Sequence, residues 1–284
     1  MPKFEAYLRI MRPINCLMMG FAVIVGATIA RASVSATFPA SSFAFAFVTG
    51  FALTAGSMVV NDYYDREIDA VNEPGRPIPS GLVTPRQALG LAVVLAALGF
   101  AAAYATGIAT LAVAALAWVL FTTYTTVGKR SGLPGNFLVS TCVATPFVYG
   151  SIVITGRIDT NVLIFVSMVF LSNTGREITK GIVDVEGDAK QNVKTLAVRF
   201  GSKSAAIAAA LFYVAATILS PIPVFLGLVS LSFVPLVSIT DVGLLGSSIV
   251  LLRNHSRESA RRIKRIVLIW FVIGLLAFLV GAAR

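Results

Sequence analysis

Histidine and cysteine are almost absent from this chain. Its 284 residues include one histidine, His255, and two cysteines, Cys16 and Cys142. Zinc sites and histidine-based catalytic triads are therefore excluded as the basis of its chemistry, because both need more of these side chains. The two cysteines fall in separate apolar stretches, so the sequence does not indicate a disulfide framework.

Charge is also scarce, whereas apolar residues are abundant. Only 13% of the residues are charged and 57% are hydrophobic, with a mean hydropathy of +0.85. A soluble domain typically has about 25% charged and about 45–50% apolar residues. The apolar residues form runs of about 17–25, the length that crosses a bilayer as a helix. The sequence has no alternating strand-like pattern, so a transmembrane barrel is not expected.

The runs predict an all-α membrane protein with nine spanning helices. Three prolines interrupt residues 204–252, which form either two full spans or two spans with a re-entrant piece. No soluble domain or long linker separates the runs, so residues 1–284 are expected to form one domain. The predicted spans are roughly 14–31, 41–61, 87–104, 106–124, 136–154, 160–178, 204–220, 226–252 and 265–283.

The basic residues predict the orientation. All but three of the 23 lysines and arginines fall on the side of the N-terminus, and the exceptions are Arg31, Arg157 and Arg284. This bias places the N-terminus in the cytoplasm. The net charge of +10 is then mainly a topology signal, and no nucleic-acid partner is expected. The first thirty residues resemble a signal peptide, but eight further runs follow, so we expect them to remain as the first span.

The first of two acidic patches follows the second apolar run, at residues 61–69. If the helix continues through it, Asn61, Asp65 and Asp69 recur at four-residue intervals on one face, and Asp62 borders that face. The following segment, residues 72–81, contains three prolines and two glycines and predicts a stiff, non-helical loop. This loop is either a plain connector or a cap over a reactive site.

The second acidic patch follows the sixth run and repeats the four-residue spacing with Asp184 and Asp188. Upstream, Asn173, Glu177 and Lys180 extend a polar stripe into the membrane span, where such stripes face the bundle interior or a water-filled cavity. Both patches lie near the C-terminal end of a helix, where the dipole disfavours negative charge. A solvated helix end is therefore a weaker interpretation than a Mg²⁺–diphosphate site, because hard oxygen ligands suit Mg²⁺.

Basic residues beside the acids are expected at a diphosphate site. The candidates are Arg66, Arg76, Lys129, Lys180, Lys190, Lys194 and Arg199. Lys129 is equally interpretable as a topology anchor, and the basic cluster at 253–265 is interpreted as topology and lipid contact. Within the spans, Asn15 lies one turn from Arg12, and Asp241 either lines a cavity or is protonated and structural.

The two acidic motifs resemble those of the UbiA superfamily of intramembrane prenyltransferases. Further resemblance covers most of the chain in order, through Arg12-Pro13-x-Asn15, Arg76-Pro77-x-Pro79-Ser80-Gly81, Tyr124 with Lys129, Arg176-Glu177 and Glu186-Gly187-Asp188. The N-terminal motif is most similar to archaeal digeranylgeranylglyceryl phosphate synthases. The resemblance implies nine helices around a central cavity, with cytoplasmic cap loops after helices 2 and 6.

The resemblance also implies a mechanism. One Mg²⁺ is expected at Asn61, Asp65 and Asp69, with Asp62 as an added ligand, and another at Asp184 and Asp188. The expected partners are an isoprenyl diphosphate donor, a lipid-like acceptor and membrane lipids, without an obligate protein partner. Lys129, with Arg76 or Lys194, is expected to neutralise the departing diphosphate as a catalytic residue beside the metal ligands. The remaining expected substrate contacts are Arg12, Asn15, Arg66, Arg76, Tyr124, Lys129, Asn173, Lys180 and Lys194.

The expected reaction is transfer of a geranylgeranyl group from its diphosphate to the free hydroxyl of geranylgeranylglyceryl phosphate, at the cytoplasmic side of the cell membrane. Two alternatives stay open at this point. One is prenyl transfer to an aromatic acceptor, either a quinone precursor or haem. The other is a membrane transporter in which Asp241 and the acidic patches line a cation path.

Overall fold

The computed structural model describes residues 3–31, 39–190 and 192–282, and within these ranges the chain is helical without strands. The predicted all-α class is confirmed for this part of the chain, while Arg284 of the topology prediction lies outside it. The helices are α1 (Lys3–Met11), α2 (Pro13–Arg31), α3 (Ala40–Asn72), α4 (Pro85–Thr106), α5 (Ile108–Thr126), α6 (Leu133–Thr155), α7 (Thr160–Val183), α8 (Val185–Lys190), α9 (Leu196–Leu219), α10 (Ile222–Phe225), α11 (Phe233–Arg253) and α12 (Arg257–Ala282).

Nine helices in the described ranges are long and apolar enough to cross a membrane: α2, α3, α4, α5, α6, α7, α9, α11 and α12. This confirms the predicted number of spans. The helix α3 runs on to Asn72, well past the predicted end of its apolar run, and so carries the first acidic patch without a break. The start of α4 is also as predicted, because Thr84 and Gln87 form a capping box with Pro85 at the first helical position.

The proline-rich stretch resolves into two full spans joined by residues 220–232, which include a short helix. Helix α9 ends at Leu219, the four-residue α10 follows, and α11 begins at Phe233. The predicted start of a span at 226 was therefore wrong. Gly227 follows the end of α10 with a φ of +62°, a left-handed conformation that glycine adopts at little cost.

A short helix that the hydropathy runs did not predict precedes the first span. In α1, Ala6 and Ile10 are buried against the bundle, whereas Phe4 is exposed. The break between α1 and α2 falls at Arg12, whose φ of +54° is unusual for a residue with a side chain. Pro13 then begins α2, a position where its missing N–H leaves no bond unmade.

Close backbone contact holds α2 against α6. A Cβ atom added to Gly26 would collide with the main chain of Phe147, and one added to Gly150 would collide with the main chain of Val23. Such approach matters in a bilayer, because helices there associate through packing rather than through removal of apolar surface from water. At the end of the bundle opposite the acidic patches, an edge-to-face pair joins Phe147 and Phe165, with ring centroids 4.8 Å apart.

Candidate active site

The first acidic patch divides between two sets of partners. Four-residue steps along a helix advance about 40° past a full turn, whereas a seven-residue step falls only about 20° short of two turns. Asn61 and Asp65 are therefore neighbours on α3, and Asp62 is angularly closest to Asp69. The contacts follow this division: one pair contacts a lysine and the other contacts arginines.

Lys129 is the cation beside Asn61 and Asp65. Its Nζ lies 2.5 Å from Oδ2 of Asp65, and Nδ2 of Asn61 donates to the same oxygen at 2.9 Å. The Lys129 and Asp65 side chains are 31% and 19% exposed, so the pair is partly shielded from water. Tyr124 lies in the last turn of α5, five residues before Lys129, and its hydroxyl is close enough to interact electrostatically with Asp65 and Glu177.

Two arginines hold the other pair. Arg12 Nη2 lies 2.5 Å from Asp62 Oδ1, and Arg76 Nη1 lies 2.6 Å from Asp69 Oδ2 and 3.6 Å from Asp62 Oδ1. Asp62 and Asp69 are 4% and 6% exposed, so these cations compensate two buried carboxylates. A polar cavity of about 260 Å³ opens here and is lined by Arg9, Arg12, Asp62, Glu73, Arg76 and Pro77.

Local backbone structure explains how both arginines reach α3. The left-handed conformation of Arg12 turns the chain between α1 and α2 beside that helix. Arg76 belongs to the non-helical segment that follows α3, as the proline and glycine content predicted. The carbonyl of Arg76 accepts hydrogen bonds from the N–H and the hydroxyl of Ser80, at 3.0 and 2.7 Å, and this turn directs the guanidinium back to Asp69.

Lys129 lies on a short 3-10 turn, Gly128–Arg130, between α5 and α6. Gly132 has a φ of +75°, and its Cα faces the carbonyl of Lys194 too closely for any side chain. The N–H of Lys194 in turn donates to the carbonyl of Arg130 at 3.2 Å. The loop after α8 is therefore packed on the Lys129 turn, and it links the second acidic patch to the first.

The second acidic patch lies across a helix break. Helix α7 ends at Val183, Asp184 follows as an exposed cap residue, and Asp188 lies within α8. The N–H of Asp188 still donates to the carbonyl of Asp184 at 2.9 Å, which preserves the four-residue spacing. Burial and the neighbouring Asp184 carboxylate raise the pKa of Asp188 to about 6, whereas Lys180 and a hydrogen bond with Thr195 act in the opposite direction.

Asn173 and Glu177 of the polar stripe on α7 are buried, as predicted, whereas Lys180 is half-buried. Asn173 Nδ2 donates to Ser140 Oγ on α6 at 3.1 Å. Glu177 is 9% exposed, and its two carboxylate oxygens bind separate cations, with Lys180 at 2.7 Å and Arg176 at 3.3 Å. The stripe thus ties α7 to α6 and holds Lys180 near the second patch.

Some predicted site residues point elsewhere. Arg66 donates to the carbonyl of Tyr63 at 2.8 Å and lies over the Tyr63 ring, so its guanidinium stays on the surface of its own helix. Asn15 is exposed at the start of α2, and the contact of Lys194 with the site is through its main chain. Arg9 also lines the cavity and was not predicted as a site residue, although its place one turn before Arg12 was a usable signal.

The donor atoms suit a hard divalent cation that arrives with additional ligands. No three acidic, histidine or cysteine side chains in the described part of the chain are close enough to form a ready metal site. However, Asp184 and Asp188 are near enough to raise the pKa of one of them, and a cation between them would relieve this repulsion. Ions such as Mg²⁺ commonly use one or two carboxylates and take their other ligands from water and phosphate.

The fold and the site together define a class of protein. Membrane-length helices surround a polar end where oxygen ligands alternate with lysine and arginine, which is an arrangement for binding a metal–phosphate group at the membrane surface. The chain belongs to the UbiA prenyltransferase family, which matches residues 19–281. It is therefore a multi-pass membrane enzyme of the prenyl-transferring class.

Relatives share almost the full length of this chain. A digeranylgeranylglyceryl phosphate synthase of Archaeoglobus fulgidus is 37% identical over 270 residues, covering 94% of this chain and 91% of the relative. One from Methanopyrus kandleri is 36% identical over 275 residues and covers 97% and 98%.

Solved structures show the same fold. A structure from work on digeranylgeranylglyceryl phosphate synthase in membranes has a TM-score of 0.85 at 30% identity and covers 99% of both chains. A UbiA homologue from Archaeoglobus fulgidus, solved with GPP and Mg²⁺ bound, has a TM-score of 0.71 at 16% identity, covering 96% of this chain and 99% of that one. The second likeness concerns the fold alone.

Proposed function

We propose that this chain transfers a geranylgeranyl group from geranylgeranyl diphosphate to the free hydroxyl of geranylgeranylglyceryl phosphate, with Mg²⁺, to form an ether in membrane lipid biosynthesis. The full-length similarity to enzymes named for this product supports the choice. The observation that carries the proposal is the cluster of Asn61, Asp65 and Lys129. The Asp65 carboxylate can bind a metal, and the Lys129 ammonium can bind a phosphate. Oδ2 of Asp65 lies 2.5 Å from Nζ of Lys129 and 2.9 Å from Nδ2 of Asn61.

The donor diphosphate is proposed to bind between the two acidic patches. Asn61, Asp65 and Asp69 are proposed to hold one Mg²⁺, with Asp62 as an additional ligand, and Asp184 and Asp188 another. Bound Mg²⁺ supplies Lewis-acid stabilisation of the negative charge that grows on the departing diphosphate.

The protein's own groups complete the donor site. Lys129 exchanges its contact with Asp65 for one with the diphosphate, and so neutralises the leaving group. Tyr124 and Lys180 are proposed to orient the donor. Arg66, Asn173 and Lys194 are further proposed substrate contacts, although in the substrate-free protein their polar groups have other partners or face outwards.

The polar cavity beside Asp62 is proposed to take the phosphate of the acceptor. Arg9, Arg12 and Arg76 converge there, and a phosphate monoester is a dianion that guanidinium groups bind with paired hydrogen bonds. Asn15, one turn after Arg12 at the start of α2, is proposed as a further contact of the acceptor. The allylic C–O bond of the donor breaks, the acceptor hydroxyl forms the new C–O bond, and its proton leaves to a carboxylate or to diphosphate.

We further propose that this polar end faces the cytoplasm, that the loops after α3 and α7 act as caps, and that the chain is one domain. The distribution of basic residues supports the orientation, because loops near spanning helices retain lysine and arginine on the cytoplasmic side.

An acceptor panel tests the proposed function. Purified protein is incubated with radiolabelled geranylgeranyl diphosphate, Mg²⁺ and either geranylgeranylglyceryl phosphate, a phenolic acid or haem. We expect product with the glyceryl phosphate alone, and no product from the Asp65→Ala and Asp184→Ala variants although both fold. Full activity of either variant at saturating Mg²⁺ contradicts the metal assignment.

Two other results contradict the proposal itself. Product from a phenolic acid, without product from the glyceryl phosphate, assigns the chain to an aromatic acceptor. Ion or solute flux in proteoliposomes, without diphosphate release from the donor, assigns it to transport.

A further inference from the structure

Arg257 contacts the end of the helix that precedes the second acidic patch. It is the first residue of α12, and its Nε donates to the main-chain oxygen of Val183 at 3.0 Å. Val183 is the last residue of α7, and Asp184 follows it directly. From the sequence alone, Arg257 and the rest of the basic cluster at 253–265 are explained by topology and lipid contact.

This hydrogen bond gives the main-chain oxygen of Val183 a donor that its own helix does not supply. The last carbonyls of an α-helix have no N–H within the helix, and the dipole makes that end negative. Asp184 and Asp188 add two carboxylates at the same place. A guanidinium supplies both a hydrogen-bond donor and a positive charge there, and neither Lys180 nor Thr195 reaches the Val183 carbonyl through a hydrogen bond in the described part of the chain.

The position of Arg257 within its own helix is unfavourable. A cation in the first turn opposes the positive end of the helix dipole, at a cost of a few tenths to about 1 kcal/mol. Residues that break a local rule often have a compensating contact elsewhere, and the bond to Val183 is such a contact.

A second hydrogen bond joins the same two helices, this time with the donor on α7 and the acceptor on α12. Arg176 of α7 donates from Nε to the main-chain oxygen of Lys264 in α12 at 3.3 Å. Between the two bonds, Ile178 and Ile182 pack with Ile263 in one buried cluster. Helix α12 therefore holds the C-terminal end of α7 through two hydrogen bonds and through apolar packing.

From this geometry we infer that Arg257 is a positioning residue, which holds the end of α7 so that Asp184 and Asp188 present one shared site to a metal–diphosphate ligand. The inference rests on the proposed function for the identity of that ligand. It assigns no chemical step to Arg257, which acts through the main chain of Val183.

Three substitutions separate the hydrogen bond from the charge. In Arg257→Gln, an amide N–H donor replaces Nε at the same place along the side chain, without the charge. Arg257→Lys keeps the charge and a donor, and Arg257→Met has neither. The matched control is Arg261→Met, because Arg261 is exposed one turn further along α12 and makes no hydrogen bond or ion pair with the described residues.

Hydrogen exchange of the metal-free protein, followed by mass spectrometry over residues 184–190, is the first measurement. We expect Arg257→Met to exchange roughly fivefold faster there, the effect of losing one partly exposed charged hydrogen bond, and Arg257→Gln to stay within about twofold of the parent. The second measurement is Mn²⁺ binding with inorganic diphosphate, followed by electron paramagnetic resonance, where Arg257→Met should weaken binding by a similar factor.

Exchange in Arg257→Met within about twofold of the parent, or an equal increase in Arg261→Met, overturns the inference. Neither measurement needs turnover. A parent protein that binds Mn²⁺ and diphosphate but makes no ether would contradict the proposed function, and the role of Arg257 would still be decided by the exchange rates.

Discussion

Replacing Lys129 with methionine should abolish most of the turnover without raising the Mg²⁺ concentration that the enzyme needs. Methionine has nearly the length of lysine but has no charge and no donor. In the substrate-free protein the ammonium lies 2.5 Å from Asp65, and both side chains are partly exposed. The pair is therefore worth about 1–3 kcal/mol, rather than the several kcal/mol of unscreened attraction at that distance.

Two effects of the substitution oppose each other. Loss of one donor to a charge that develops during reaction costs about 100- to 1000-fold in kcat. Release of Asp65 from its counterion favours metal binding by about 1 kcal/mol, which lowers the Mg²⁺ concentration for half-maximal rate by roughly fivefold. The first effect is larger, so kcat should fall at least about 100-fold while the Mg²⁺ requirement stays equal or decreases.

Steady-state transfer of radiolabelled geranylgeranyl groups, measured over a Mg²⁺ titration, gives both quantities. Arg130→Met is the matched control, since Arg130 is exposed on the same turn and its contact with Lys194 is through the main chain. A Lys129→Met enzyme that keeps kcat within about threefold of the parent would refute a role for Lys129 at the leaving group.

Three further predictions concern other parts of the molecule. Asp62→Asn removes the negative charge that pairs with Arg12 and weakens one proposed Mg²⁺ ligand, so it should raise the KM for the glyceryl phosphate by roughly tenfold and the Mg²⁺ concentration for half-maximal rate by a smaller factor; an unchanged Mg²⁺ titration would remove Asp62 from the metal ligands. Gly150→Ala forces a methyl group into the main chain of α2 and should lower stability by about 1–3 kcal/mol in a thermal melt in detergent, whereas Gly90→Ala, which meets open space, should not. Asp241→Asn should keep full activity, because the Asp241 carboxyl accepts a hydrogen bond at 2.5 Å from Ser220 at the C-terminal end of α9, whereas the second acidic patch lies beside the N-terminal end of α9; a large loss of activity would make Asp241 a cavity residue.

The spans were predictable because bilayer thickness sets a length that the apolar runs display directly. The capping box at Thr84 was readable for a similar reason, since both of its partners lie within one turn. The start of α11 was not predictable. Hydropathy continues smoothly across 226–232, and the interruption near Gly227 depends on backbone conformation. Helix α1 was missed because an amphipathic segment of nine residues is too short to register as a run.

The two acidic patches of the site were predictable, but the basic partner of each carboxylate was not. Four-residue spacing correctly grouped Asn61 with Asp65, yet it also placed Asp69 with them, and the accumulated rotation of the helix gives Asp69 the same arginine as Asp62. Arg12 is 50 residues from Asp62 and Lys129 is 64 from Asp65, and periodicity carries no information over such separations. Arg257 was passed over because topology already explained a basic cluster.

The ion pairs on α3 have a consequence for the order of binding. A bare metal ion that approaches Asp65 must displace Lys129 and leave that ammonium without a partner, and bare diphosphate that attracts Lys129 leaves Asp65 equally alone. The two ligands arriving together exchange partners with the resident pair, so that charge is balanced before and after. Metal and diphosphate are thus expected to be heterotropic activators of each other's binding, and the unloaded protein discriminates against either ion by itself.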